Sequence, residues 1–246
     1  MEVLNRHVSI RKFKPQPIPE KLLDSILFSG TRASTTGNMQ WYSIVVTTDP
    51  AQRKKLLPLH FNQPVAANAP VLLTFVADIH RFSEWCKFNK AVPGYNNFLS
   101  FFTASIDALL VAQNVCVSAE NLGLGICYLG TTTYNAKEII GTLNLPELTF
   151  PVTTVAVGYP DETPELTDRI PLKGIVHHET YHNYTPTDIA ELYALKENLE
   201  SSKRFVKENG RESLAQVFTD IRYKEADNRF FSEKMIKVLR EQGFLE

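Results

Sequence analysis

The sequence predicts an α+β fold, a β-sheet flanked by helices, and three observations carry that expectation. Short β-branched apolar runs alternate with amphipathic stretches through residue 160. The segment 96–123 reads as one long helix with little polar face. From about residue 164 the chain turns into an irregular loop, then a polar and aromatic stretch, then charged helical sequence.

PEKLLDSILFSGTRA (19–33) begins on proline, which suits a first helical position, and Leu22, Leu23, Ile26 and Leu27 form one stripe. SIVVTT (43–48) and VLLTFVAD (71–78) are unbroken apolar runs and read as buried strands. Between 96 and 123, Phe98, Phe101, Phe102, Leu109, Ala112, Val115, Cys116, Ala119 and Leu122 leave almost no polar face, and Gly123 stands where a helix would stop. Such a helix is roughly 40 Å long and needs cover on several sides, for which a second subunit is one candidate. ICYLG (126–130) and VTTVAVGY (152–159) are two further strands around the helix-like NAKEIIGTLN (135–144). The tail at 187–245 is charged and only modestly apolar, and reads as an arm lying over another surface. HVSIRKF (7–13) raises a separate question. As a strand it would put His7, Ser9 and Arg11 on one face, which must meet water or an anion.

A chain of 246 residues suits one large domain with a real core. With 26 Lys plus Arg against 27 Asp plus Glu, it lacks the basic surplus of a nucleic-acid protein. The three cysteines, Cys86, Cys116 and Cys127, have no CxxC spacing and fit a reducing cytosol. No signal peptide is read at the start, and no apolar run is read as a membrane span. The expectation is a cytoplasmic protein with no membrane or nucleic-acid partner.

Several motifs are set aside. GLGICYLG (123–130) follows a helix and has the wrong spacing for a dinucleotide fingerprint, so it reads as a helix cap and strand start. There is no phosphate-binding GxxxxGK[ST] loop, no GxSxG elbow and no HExxH. His177, His178 and His182 with Glu179 match no metal template and read as loop histidines, so no metal is expected. Cys127 reads as a small buried strand residue, not a nucleophile.

Four polar stretches at the ends of apolar elements remain: HVSIR (7–11), RASTTGNMQ (32–40), YLGT (128–131) and TDRIP (167–171). Hydroxyls, amides and two arginines suit a phosphate monoester attached to a polar ring, because a guanidinium binds phosphate oxygens as a fork. Taken one at a time, each stretch reads better as loop polars and caps.

In order, the stretches resemble the FMN-dependent nitroreductase superfamily, and within it the NADPH-dependent oxygen-insensitive nitroreductase and flavin reductase branch. HxSIRxF (His7, Ser9, Ile10, Arg11, Phe13), the hydroxyl turn before Ser43, and NQPVAANAPVLLTFVAD (62–78) carry the likeness. AQNVCVSAENLGLGICYLG (112–130), VGYPDETPELTDRIPLKGIVHHETY (157–181) and the terminal EQGF (241–244) complete it. The resemblance implies a three-layer α/β sandwich with a central mixed sheet and a long central dimer helix. It further implies one domain over 1–246, with a helical extension from about 185 packing on the dimer.

The same resemblance implies FMN contacts. His7 and Ser9 fall on the phosphate side, and Arg11 at the N1 and O2 edge of the ring or nearby phosphate. Ser34, Thr35, Thr36 and Asn38 would come largely from the other subunit. Gln63 falls at the ring's polar edge, Tyr128, Leu129, Gly130 and Thr131 along the ring, and Arg169 on the phosphate. Two departures stand out: Thr167 replaces the lysine usual two positions before that arginine, and Thr131, Thr132 and Thr133 stand where relatives carry a basic residue. Arg204, Lys207 and Arg211 would meet the 2′-phosphate of NADPH. The implied activity is hydride transfer from NADPH through flavin N5 to nitroaromatics, quinones or free flavin, by a ping-pong mechanism in a homodimer with FMN at the subunit interface. No side chain is expected to be catalytic, since the flavin carries the chemistry. The alternative is a non-catalytic flavin-binding sensor, or a partner-binding protein using the tail.

Overall fold

A computed structural model describes residues 1–246, which form two compact units: Met1–Glu165 with Glu233–Glu246, and Leu166–Ser232. The first is built on four strands, β1 (Tyr42–Thr47), β2 (Val71–Asp78), β3 (Gly125–Leu129) and β4 (Thr149–Gly158). They lie in the order β1-β2-β4-β3. β2 is buried along its whole length and β4 at all but one residue, as their apolar sequences require of central strands.

The α+β class holds, but the sheet that this chain builds is antiparallel at every pairing, not mixed. The reason is where the connections return. Thr47 at the end of β1 pairs with Leu72 at the start of β2, so the helical excursion between them leaves and re-enters at one end of the sheet. β3 and β4 are likewise antiparallel, Gly125 pairing with Gly158 and Leu129, the end of β3, with Thr154 in the middle of β4.

The long helix, Phe98–Asn121, crosses one face of the sheet. Ala104, Ala108, Val111, Ala112, Val115 and Ala119 are all fully buried, and their small side chains let it lie close to Leu73, Phe75, Val155 and Val157. The helix Glu20–Gly30 packs against it through Leu23 and Ile26. By length and composition the long helix could cross a membrane, with mean hydropathy 1.4 over its most apolar window, so the reading of no membrane-length segment is corrected. Because 56% of that window is buried inside the unit, its apolar character is that of a core helix. Gly123, at φ +81°, ends it in a conformation that favours glycine.

HVSIRKF is not a strand. One isolated bridge, Phe13 to Pro160, and the bond from Ile10 N–H to Ile126 O (2.9 Å) fasten it along β3. Ile10 and Phe13 are buried while Arg11 and Lys12 are exposed, a spacing of three rather than two. Gly125 makes this docking possible, since a Cβ there would stand 2.7 Å from Ile10.

The second unit carries the helices Pro186–Asn198, Glu200–Glu208 and Leu214–Val217. Pro186 at the first position, with a capping box between Thr185 and Asp188, starts the first of them. Leu192, Ser202, Leu214 and Val217 are buried in it. The tail is not a single arm, because the boundary at 232/233 falls inside the last helix, Glu225–Glu241. Beyond it, Val238, Leu239 and Phe244 belong to a core cluster with Trp41, Phe101 and Phe150. Phe244 is fully buried, its ring 5.3 Å from that of Phe101.

Phe244→Ala is expected to destabilise the protein by about 3–5 kcal/mol, the usual range for emptying a buried phenylalanine site. Denaturant titration of the two proteins measures it, and an unchanged midpoint would show that the terminus is dispensable to the core.

Candidate functional site

Ile10 brings His7, Ser9 and Arg11 onto β3. His7 Nδ1 lies 2.7 Å from Glu120 Oε1 on the long helix, so one ring nitrogen of the expected phosphate-side histidine is already committed. The Arg11 guanidinium is exposed and makes a single long bond, 3.4 Å to Ser9 O. Its backbone N–H and that of Lys12 donate to Glu162, and the bond from Arg11 holds that carboxyl below its usual range.

The turn at 34–40 is held from beneath by a residue that the sequence reading passed over. Asp107, on the long helix and 1% exposed, accepts from Thr36 N–H at 3.0 Å and from Trp41 N–H at 3.2 Å. Gly37, Asn38 and Gln40 all have φ near +55°. Arg81 donates to the carbonyls of Gln40 and Tyr42, and Asp78 accepts from Ser43 and from Arg81 N–H. Ser34, Thr36 and Asn38 are left exposed and Thr35 half-buried. The signal for Asp107 was visible as the one acid within the apolar stretch 98–112 of that helix.

The 128–131 stretch is split. Tyr128 is half-buried and donates to Gln113 at 3.3 Å, with burial raising its hydroxyl pKa. Leu129 is core, and Gly130 is exposed. Thr131 turns inward, its Oγ1 lying 3.0 Å from His60 Nδ1. His60 is fully buried, its Nε2 has no partner, and burial lowers its pKa to about 4. Three residues on, Gln63 is half-buried with its amide unpartnered.

In the second unit, Arg169 is exposed and bonded only to Thr167 and the Asp168 carbonyl, with Thr167 Oγ1 accepting at 2.6 Å. The threonine found where lysine was expected therefore orients the arginine. Arg211 lies 3.1 Å from Asp220, although its Nε–H is not aligned on that carboxylate; we read the contact as an ion pair without a formed hydrogen bond. Arg204 stands 3.9 Å from Glu208, and Lys207 is exposed without a carboxylate partner. His177 is stacked on Tyr181 (4.3 Å) and bonded to Tyr184. The thiols of Cys116 and Cys127 are buried, and burial raises both pKa values, that of Cys116 to about 12, which suppresses thiolate chemistry.

The nitroreductase family model matches residues 4–159. An NADPH-dependent oxidoreductase of Staphylococcus epidermidis is 30% identical over 253 aligned residues, covering 100% of this chain and 97% of that one. The FMN reductase (NADPH) of Bacillus subtilis is 32% identical over 184 residues, 74% of each chain. A solved protein of Bacteroides fragilis, provisionally named an oxidoreductase, superposes with TM-score 0.99 at 54% identity over 100% of both chains.

Two outcomes follow from the buried groups. Asp107→Asn replaces an acceptor oxygen by a donor facing an N–H. It should cost about 1.5–3 kcal/mol of stability, and retained stability with an unchanged protease cleavage rate at 34–41 would refute the clamp. His60 has a depressed folded pKa, so its contribution is complete above pH 6.5 and is lost as pH falls towards about 4. The loss approaches roughly 3 kcal/mol. Denaturation midpoints of the protein and of His60→Phe should diverge between these pH values, and parallel curves would contradict the buried neutral ring.

Proposed function

The chain belongs to the nitroreductase family, and from that membership we propose that it moves hydride from NADPH through FMN to small organic acceptors. The flavin-dependent NAD(P)H oxidoreductase activity is that of its relatives, the NADPH-dependent oxidoreductases and the FMN reductase (NADPH). Bound FMN supplies the hydride chemistry at its N5, and the protein supplies position and charge.

The observation that carries the reading is the state of two arginines. Arg11 and Arg169 have no carboxylate partner, and their forks are available to an anion such as the FMN phosphate or the electron-rich ring edge. Ser9 adds a hydroxyl, Gln63 an unpartnered amide, and the exposed Gly130 backbone an approach for a flat ring. Nitroaromatics, quinones and free flavin are the proposed acceptors. They would take turns with NADPH in one site, which gives ping-pong kinetics.

A homodimer is part of the reading. Leu99, Phe102, Ile106, Leu109 and Leu110 form an exposed apolar row along the long helix, and a second copy would cover it. The exposed hydroxyls at 34–38 would then serve the neighbouring subunit's flavin. Arg204, Lys207 and Arg211 are the proposed contacts for the NADPH 2′-phosphate, which would displace Asp220 from Arg211. Three free, buried cysteines suit the reducing cytoplasm.

The purified protein should be yellow, and NADPH under nitrogen should bleach it, with colour returning on addition of a quinone. A yellow protein that NADPH leaves unchanged would make it a sensor. Arg169→Ala should weaken FMN binding by about 1.5–3 kcal/mol, measured by fluorescence titration of apoprotein; equal affinities would remove this arginine from the site.

A further inference from the structure

We propose that His60 is a positioning residue that, through Thr131, fixes the spacing of the two turns between which the polar edge of the FMN ring is held. The inference rests on the FMN reading above. A fully buried imidazole bonded only through Nδ1 is costly, because whichever nitrogen carries the proton, Nε2 is left a donor or an acceptor without a partner. An apolar ring of similar size would avoid that cost. Stability alone therefore does not account for a histidine here.

What the ring joins does account for it. The turn 57–63 and the turn 130–135 are far apart in sequence and are tied at three points. His60 meets Thr131 at 3.0 Å, Asn135 Nδ2 donates to Leu59 O at 2.7 Å, and the rings of Phe61 and Tyr134 lie 6.3 Å apart. The first turn is also strained, with Phe61 and Asn62 both at φ +53°, a conformation that a bulky residue adopts only when its surroundings hold it there. Immediately after this pair comes Gln63, whose N–H donates to His60 O at 3.1 Å and whose side chain is unpartnered. Immediately before Thr131 comes exposed Gly130. The buried pair thus sits behind Gln63, three residues after His60, and Gly130, immediately before Thr131, the two groups proposed to meet the flavin, and neither His60 nor Thr131 need touch it. Strain at Phe61 and Asn62 is sustained by a clasp whose hydrogen bond sets where Gln63 and Gly130 stand.

The test uses apoprotein and FMN, with binding read from quenching of flavin fluorescence and folding read separately from thermal melting. Thr131→Val keeps the shape and removes the hydroxyl; Thr131→Ser keeps the hydroxyl; His60→Phe removes both the bond and the unpartnered nitrogen. Thr131→Val and His60→Phe should each weaken FMN about tenfold, the double variant no more than either single one, and Thr131→Ser should stay within twofold of the parent. Affinities within twofold for Thr131→Val and His60→Phe, or additive losses in the double variant, would overturn the proposal. So would a lowered melting temperature with unchanged FMN affinity, which marks a purely structural pair. If His60→Phe does not fold, the contrast between valine and serine at 131 decides alone. A parent protein that binds no FMN would overturn the flavin reading and this inference together, whereas a binding parent with indifferent variants overturns only the inference.

Discussion

A carboxylate buried in an apolar helix is tolerated only where hydrogen bonds replace the water it has lost, and at Asp107 those bonds come from one turn. Thr36 and Trp41 both donate to it. Three residues between them hold φ near +55°, a shape that a free loop would not keep. The carboxylate therefore converts the core helix into a mount for a strained, hydroxyl-bearing turn. Its far end is closed by Arg81 on the Gln40 and Tyr42 carbonyls, and Trp41 runs on into an aromatic cluster with Phe82 and Tyr95. Exposed polar groups on the turn are thus fixed by contacts beneath it together with its own internal bonds, such as that from the Gln40 amide to Asn38.

The same helix explains why one element serves two purposes. Its buried side is alanine and valine, small enough for close approach to the sheet, while its open side is leucine, isoleucine and phenylalanine. Ordinary amphipathicity sets apolar against polar; here, from Phe98 to Leu110, the open side is also mostly apolar and differs from the buried side in side-chain size. That exposed apolar row is the feature on which the proposed homodimer rests.

The four strands and the helices read at 19–33, 96–123 and 135–144 were legible to within about three residues, because burial on both faces leaves unbroken apolar runs and helical stripes leave a different period. The short helices Pro50–Leu56, Pro64–Asn68 and His80–Phe88 were not read. Gly123 was legible as a helix stop, and structurally it is so, while the strand read from Ile126 begins one residue earlier at Gly125. What was not legible depends on partners distant in sequence. The sense of strand pairing follows from where connections return, and the fastening of 7–13 depends on the missing Cβ at 125. The burial of Phe244 needs Phe101, more than a hundred positions away. Asp107 and His60 were passed over for one reason: a single polar letter in an apolar context has no period, and only its partners reveal its work. The sequence offered candidate site residues by chemical type, but not the groups, Asp107 and His60, that hold the turns at 34–41 and 57–63 in place.

Arginine partners give the last step. Arg6 and Arg229 pair with glutamates one turn away on exposed helix faces, contacts that contribute little and neutralise the charge locally. Arg53 and Arg81 are spent on backbone carbonyls, and Arg222 lies over the ring of Phe205. Arg11 and Arg169 belong to none of these classes: each guanidinium is exposed and bonds only neutral oxygens of its own immediate segment, although the backbone N–H of Arg11 donates to Glu162. At Arg169 even the local hydroxyl, on Thr167, serves to orient the fork without cancelling its charge. Both guanidinium forks therefore keep their charge and their donor geometry, and it is from this property that the anion-binding reading proposed above proceeds.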